Sequence, residues 1–367
     1  MTVRRSACGS TPQRSKAEIL RWNGSRRLLA IAVALLAAGC AAAPAPPSAE
    51  HPPTSGTFTP RRLPEPLPPP AEPATAPAPT ATPAGRTVAV GSTPEGIVAD
   101  PVTRRVAVGV RDPAALVLLD SDIGTEAGRV PLPGTLRHLQ LAKAGGPVLV
   151  PDESSNSLLE VALPAGNVVG QVPTGTLPHD ANAAANGTIF VANEGGGSVV
   201  AVRDGAVAAT FTDVTQPAGV AHVGDTVGLL DVRENTLTFY DAGSLSPITE
   251  LAAGDGPTHV VADEHGRFVV TDTRGGSLLV YAQQAQVARV VLPGEPYGIT
   301  YDPVRDRLWV TVTAANQVVG FDMAGAEPRE VARLPTVRQA NTVAVDPTTG
   351  RLFVTGTADG IVQIIDP

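Results

Sequence analysis

GEPYGITYDPVRDRLWVTV, residues 294–312, holds a complete structural grammar in one short stretch. Gly294 and Pro296 introduce the apolar run Gly298-Ile299-Thr300-Tyr301, and Asp302-Pro303-Val304-Arg305-Asp306 follows it. In such a turn Asp caps the backbone and Pro sets φ, so the chain reverses there. Arg307-Leu308-Trp309-Val310-Thr311 then reads as a β-branched and aromatic strand. The stretch is thus one antiparallel strand pair.

The same grammar recurs along the chain. GSTPEGIVAD from Gly91, GTLRHLQL from Gly134, GTLPHDANAA from Gly175, TQPAGVAH from Thr215, GDGPTHVVAD from Gly254 and RQANTVAVD from Arg338 all align with it. The slot of Pro296 is filled in the other copies by Pro94, Leu136, Pro178, Pro217, Pro257 and Ala340, and successive spacings are 42, 42, 39, 40, 39 and 44 residues. Copies 2, 3 and 4 lack the Asp-Pro turn, so local deviations are expected in their blades. Polar turns such as Glu194-Gly195-Gly196-Gly197 separate further short strands such as Ser198-Val199-Val200-Ala201-Val202. Four short strands per period and no long helical pattern describe a propeller blade.

The two ends of the repeat region complement each other. The last copy stops at Ile361-Val362-Gln363-Ile364-Ile365, one strand short of a blade, and Thr87-Val88-Ala89-Val90 is a spare strand ahead of the first copy. Pairing them closes the ring and removes an unpaired sheet edge. The expected fold is therefore all-β: a seven-bladed β-propeller of four-stranded blades over 86–367, with the N-terminal strand closing the last blade.

The pattern Gly-x-Pro-x-Gly-φ-x-x-Asp-Pro-x-x-x-Arg-φ-φ-Val-Thr within Gly294–Val312, with Gly-x-x-Pro opening other copies and an echo in Phe190-Val191-Ala192-Asn193, resembles the YVTN-type β-propeller repeats of YncE-like extracytoplasmic proteins. The resemblance covers nearly all of 86–367. It implies the propeller fold and says little of function, because propellers host unrelated activities.

The region before the repeats has a different character. Residues 1–39 carry seven Lys or Arg and one Glu, which leaves 20 basic against 34 acidic residues from Cys40 onward. So acidic a remainder argues against nucleic-acid binding. Arg26-Arg27 precede the apolar run Leu28 to Gly39, whose 12 residues fall short of the roughly 20 needed to span a bilayer. Leu36-Ala37-Ala38-Gly39-Cys40 resembles a bacterial lipobox, with Ala37 where Leu is preferred. It implies a signal peptide over 1–39, lipidation of Cys40, and an extracytoplasmic protein anchored to the cell membrane. Ser25-Arg26-Arg27-Leu28-Leu29 also resembles a loose twin-arginine export motif. Residues 41–85 contain 15 prolines, so 40–85 is expected to be a disordered, extended tether.

No G-x-S-x-G, Walker loop, H-E-x-x-H, C-x-x-C or Gly-rich dinucleotide fingerprint is present. Candidate site residues come from the repeat alignment instead. His138, Asp180, His259 and Thr342 stand two places after the Pro slot, and Arg137, His179, Thr258, Tyr297 and Asn341 stand one place after it. In a propeller these slots ring one mouth of the central channel, where converging polar residues suggest a binding site. The histidines are also suited to bonding a neighbouring blade's backbone, and both readings stand. No cofactor is required; a divalent metal on His138, Asp180 and His259 is the one to consider. His265 is placed at the far end of the inner strand from His259 and cannot share an ion with it.

Tyr297-Gly298-Ile299-Thr300 with Leu308-Trp309-Val310-Thr311 is also similar to blades of streptogramin-lyase-like propellers, which are metal-dependent enzymes with a His and Glu constellation at the channel. Here Val310-Thr311-Val312-Thr313 follows Trp309, and no copy has Glu at the His259 position. The favoured expectation is a monomeric, non-catalytic module that binds a protein or small ligand at the channel mouth. The alternative is a metal-dependent lyase or hydrolase.

Overall fold

The computed structural model describes residues 67–367. The signal-like segment 1–39, Cys40 and the tether up to residue 66 lie outside the described residues. Seven four-stranded antiparallel sheets form the blades of a β-propeller. Their inner strands are Ile97–Asp100, Gln140–Leu141, Pro178–Ala183, Pro217–Val223, Pro257–Ala262, Pro296–Asp302 and Ala340–Val345, for blades 1 to 7. Blade 7 takes its outermost strand from the start of the domain, where Arg86–Ala89 pairs antiparallel with Ile361–Ile364. Ring closure therefore couples the first and last strands of the propeller.

The core lies between neighbouring blades. Val106, Val108 and Leu119 of blade 1 pack with Ala344, Phe353 and Val362 of blade 7, and equivalent clusters fill the other gaps. Trp309, Phe190, Phe239 and Tyr240 are fully buried there. Burying each such ring stabilises the fold by about 1.5–3 kcal/mol. The Asp turns expected from the repeats form as capped reversals: Asp302 accepts from Val304 N at 3.0 Å and Asp346 from Thr348 N at 3.1 Å. Blade 2 is the irregular one, with an inner strand of only two residues, Gln140 and Leu141.

One boundary differs from the sequence expectation. Residues 67–85, expected as part of a disordered tether over 40–85, form a strap across the face on which the inner strands begin. Ala76 is buried, and the strap carbonyls of Pro68, Ala74 and Pro77 accept hydrogen bonds from Arg233, Gln339 and Asn316. Proline removes backbone donors and leaves carbonyls as acceptors. Long polar side chains on the blade loops supply the donors.

Candidate functional site

A backbone irregularity aims the slot residues. In blades 3 to 7 the register between the first two strands shifts just after the Pro slot, as between Pro257 and His259 or between Pro296 and Ile299. Such a bulge turns side chains off the regular alternation. The Thr of the repeated Val-Thr strand then holds it. Thr271 Oγ1 accepts from His259 N at 3.2 Å and donates to Tyr297 O in the next blade at 2.9 Å. Thr311 Oγ1 accepts from Gly298 N at 2.8 Å, and Thr355 Oγ1 from Thr342 N at 3.1 Å.

The second slot residue therefore leans toward the next blade. A Cβ on Gly298 would lie 2.3 Å from Asn341 O, which explains a glycine there. Where the slot holds a longer side chain, that chain reaches over the neighbour. His138 packs on His179, its centroid 4.6 Å away, and His259 packs on Tyr297 at 4.5 Å. His138 also meets His259 across the channel at 4.6 Å. His179, His138, His259 and Tyr297 form a continuous chain of rings within the channel.

Burial sets the protonation of these rings. It pushes His259 down to about 3, with His179 and Arg137 adding positive potential. It also holds His138 well below the ordinary imidazole range, reinforced by His179, His259 and Arg137. Both are neutral at pH 7, the form that binds polar ligands and metals through a ring nitrogen. Among the described residues neither ring nitrogen of His259 makes a hydrogen bond of good geometry, although the Tyr297 backbone lies close enough to oppose the downward shift.

On the strap side of the rings lies an ionic collar. His179 Nδ1 is 2.7 Å from Glu194 Oε2, and Gln216 Nε2 donates to Glu194 Oε1 at 2.8 Å. Burial favours the neutral form of Glu194, yet His179, Gln216 and Arg137 outweigh it and hold the carboxyl down at about 2. Arg111 contacts Glu95 at 3.0 Å and Glu153 at 3.4 Å, while Arg137 contacts Glu153 at 3.4 Å and the strap's Glu72 at 3.6 Å. The strap closes over this collar and leaves a void of about 20 Å³, room for roughly one water. Beyond the rings a larger chamber of about 310 Å³ is lined by Gln140, Asn182, His222 and Thr300 and runs to Tyr301 and Pro347.

The sequence-derived candidates thus separate. His138, His179, His259 and Tyr297 meet; Arg137 joins the collar. Thr258 Oγ1 bonds Thr271 and Thr273 within its own blade. Asn341 Oδ1 accepts from Gln339, and Thr342 Oγ1 donates to Glu95 O in blade 1. Asp180 does not join the histidines: it accepts from Ala181 N at 2.8 Å and from Val220 N of blade 4 at 2.9 Å. Burial raises its carboxyl to about 7, partly offset by these amides and by His179. Asp180, His138 and His259 all line the chamber, and their donor atoms do not gather within 4.8 Å of one another. The one group of three donors gathered within 4.8 Å among the described residues is Glu264, His265 and Asp306, at the turns that follow the inner strands.

Glu95, Glu153 and Glu194 were within reach of sequence reasoning. Glu95 occupies the first slot of copy 1, beside Arg137 of copy 2. Glu153 and Glu194 each follow the polar residue that ends a second strand, Asp152 and Asn193. Glu72 carried no repeat signal.

No family model matches the sequence, and no curated protein matches it. Solved structures do. A Kuenenia stuttgartiensis hydrazine synthase chain is 16% identical with a TM-score of 0.66, covering 76% of this chain and 96% of its own. Virginiamycin B lyase from Staphylococcus aureus is 15% identical with a TM-score of 0.62, covering 76% and 98%. The β-propeller domain of Cps50 (Swd1) from Myceliophteria thermophila is 11% identical with a TM-score of 0.66, covering 77% and 99%. Likeness at these identities establishes the propeller fold and nothing of the chemistry.

Proposed function

We propose that the protein is an extracytoplasmic binding propeller, tethered to the cell membrane through a lipid on Cys40, that captures a small polar ligand within its central channel. The resemblance of the repeats to YVTN-type propellers and the lipobox-like Leu36-Ala37-Ala38-Gly39-Cys40 support the setting. The observation that carries the binding reading is His259, buried in the ring chain that lines the 310 Å³ chamber, with neither ring nitrogen in a hydrogen bond of good geometry. A buried polar group without a partner costs about 1–3 kcal/mol, and a ligand that bonds it recovers that cost. Gln140, Asn182 and Thr300 add donors and acceptors for the same guest.

The test is a thermal-shift screen of polar metabolites and divalent cations against the chain from Cys40 onward and its His259→Phe variant. A ligand that raises the melting temperature of the first and not of the second supports the reading. Ligands that shift both equally, or an empty screen, count against it.

A second reading is favoured by one contact. His179 Nδ1 lies 2.7 Å from Glu194 Oε2, the imidazole–carboxylate proximity that general-base chemistry uses. The fold is shared with a virginiamycin B lyase solved with quinupristin. Turnover of quinupristin that disappears in His179→Ala would favour a lyase. Absence of turnover would count against the lyase reading.

A further inference from the structure

The strap shows what its face recognises. It is held through its backbone: Arg233 Nη1 donates to Pro68 O at 3.2 Å, Arg274 Nη2 to Pro69 O, and Asn316 Nδ2 to Pro77 O at 3.0 Å. Gln339 clamps it bidentately, donating to Ala74 O at 2.7 Å and accepting from Ala76 N at 3.0 Å. Two positions demand small side chains. Ala76 is 2% exposed, and a Cβ on Gly256 would lie 2.8 Å from the Cβ of Arg274 and 3.0 Å from the Cβ of the strap's Ala71. Glu72 adds one charge contact, to Arg137. Proline-rich extended chains are recognised in this manner because their conformation is already ordered before binding.

The link between this docked piece and the first blade strand is of a different kind. Residues 78–82 are exposed, and no hydrogen bond to them is found. The chain is fastened again only at Ala84, whose N donates to Pro335 O at 2.9 Å and whose O accepts from Gln363. An exposed hinge next to a docked terminal segment is the arrangement from which segments exchange between copies.

We propose that the strap-bearing face is an interaction surface for residues 67–77 of a second copy of this chain, which dock in the register seen in cis. The second copy is the occupant whose complementarity is already visible, since each contact of the strap is reproduced when the same residues arrive from another molecule. Within one molecule the short hinge gives the strap a high effective concentration, so exchange is favoured where copies are crowded. This inference is independent of whether the channel holds a ligand.

Complementary variants test it on the chain from Cys40 onward. In the first, Ala76→Arg cannot seat its own strap and leaves the face vacant. In the second, Gln339→Ala with Gly256→Leu keeps an intact strap and spoils the face; Gln339→Ala alone serves if the pair does not fold by circular dichroism. Each alone is expected to be monomeric by light scattering with a protease-sensitive strap. Mixed at high micromolar concentration, they should form a one-to-one dimer in which cleavage of the intact strap slows by about tenfold. A mixture that stays monomeric, or a strap equally protected before and after Ala76→Arg, overturns the proposal. So does a labelled peptide of residues 67–80 that binds the Ala76→Arg chain when no dimer forms, because the face would then serve a different polypeptide.

Discussion

His138 of blade 2 and His259 of blade 5 pack edge to face, with ring centroids 4.6 Å apart and planes at 72°. Contact between blades this far apart closes the channel at one level, with His259 buried and His138 half-buried. Folding must therefore hold them neutral, and acid works against that. His259 has a folded pKa of about 3 against an ordinary 6.5. The unfolded chain gains a proton first, so this residue's contribution to stability is complete above pH 6.5 and falls as pH drops toward 3. His259→Gln is expected to lose less stability than wild type between pH 7 and pH 4, as read from urea midpoints at each pH.

Asp180 should behave in the opposite sense. Its folded pKa of about 7 exceeds the ordinary 3.8. The folded chain binds the proton more tightly, so stability falls as pH rises from about 4 to 7. Asp180→Asn removes this dependence, and its stability relative to wild type is expected to improve over that interval. Asp180→Ala, by contrast, strands Val220 N and should cost about 1–3 kcal/mol. Thermal melts across the pH series separate the two effects.

Gly298 and Gly219 occupy the same slot in different blades with different clearance. A Cβ on Gly298 would meet the Asn341 carbonyl at 2.3 Å, while on Gly219 the nearest atom is Val260 Cγ1 at 3.3 Å. Gly298→Ala must push blade 7 away and should cost about 1–3 kcal/mol or more. Gly219→Ala should cost clearly less. Equal melting temperatures for the two would contradict the inter-blade packing described.

Thr271→Val keeps the side chain's volume and removes its hydroxyl. His259 N then loses its acceptor and Tyr297 O its donor. A loss of about 1–3 kcal/mol is expected, with an unchanged denaturant slope because the unfolded surface is the same. A lowered slope would point to a loosened native ring instead.

Cys40→Ser tests the anchor on its own. In cells, the variant should move from the membrane fraction to the soluble extracytoplasmic fraction. Retention on the membrane would count against lipidation.

The repeat made much of this legible before any coordinates. Alignment of the Pro slots placed His138 and His259 in equivalent positions and separated them from His265, which indeed pairs with Asp306 at 2.9 Å. It grouped Asp180 with the histidines because a slot specifies a position along a strand. It does not specify a side chain's hydrogen bonds, and the nearby amides of Ala181 and Val220 claimed that carboxylate. The strap was illegible for a related reason. Proline-rich composition predicts an extended chain, and its docking depends on Arg233, Gln339 and Asn316, which reach it from loops of three different blades.

The sequence by itself determined the period, the four strands of each blade, the count of seven and the closing strand at Arg86–Ala89, because each follows from local alternation and turn chemistry repeated along the chain. Only the tertiary structure decided what the channel contains. Blades 2 and 5 meet through ring closure, and in blade 5 the inter-strand bulge turns His259 inward. Contacts between residues distant in sequence depend on that geometry, which is why His138 against His259, the ionic collar and the strap above it emerged only in three dimensions.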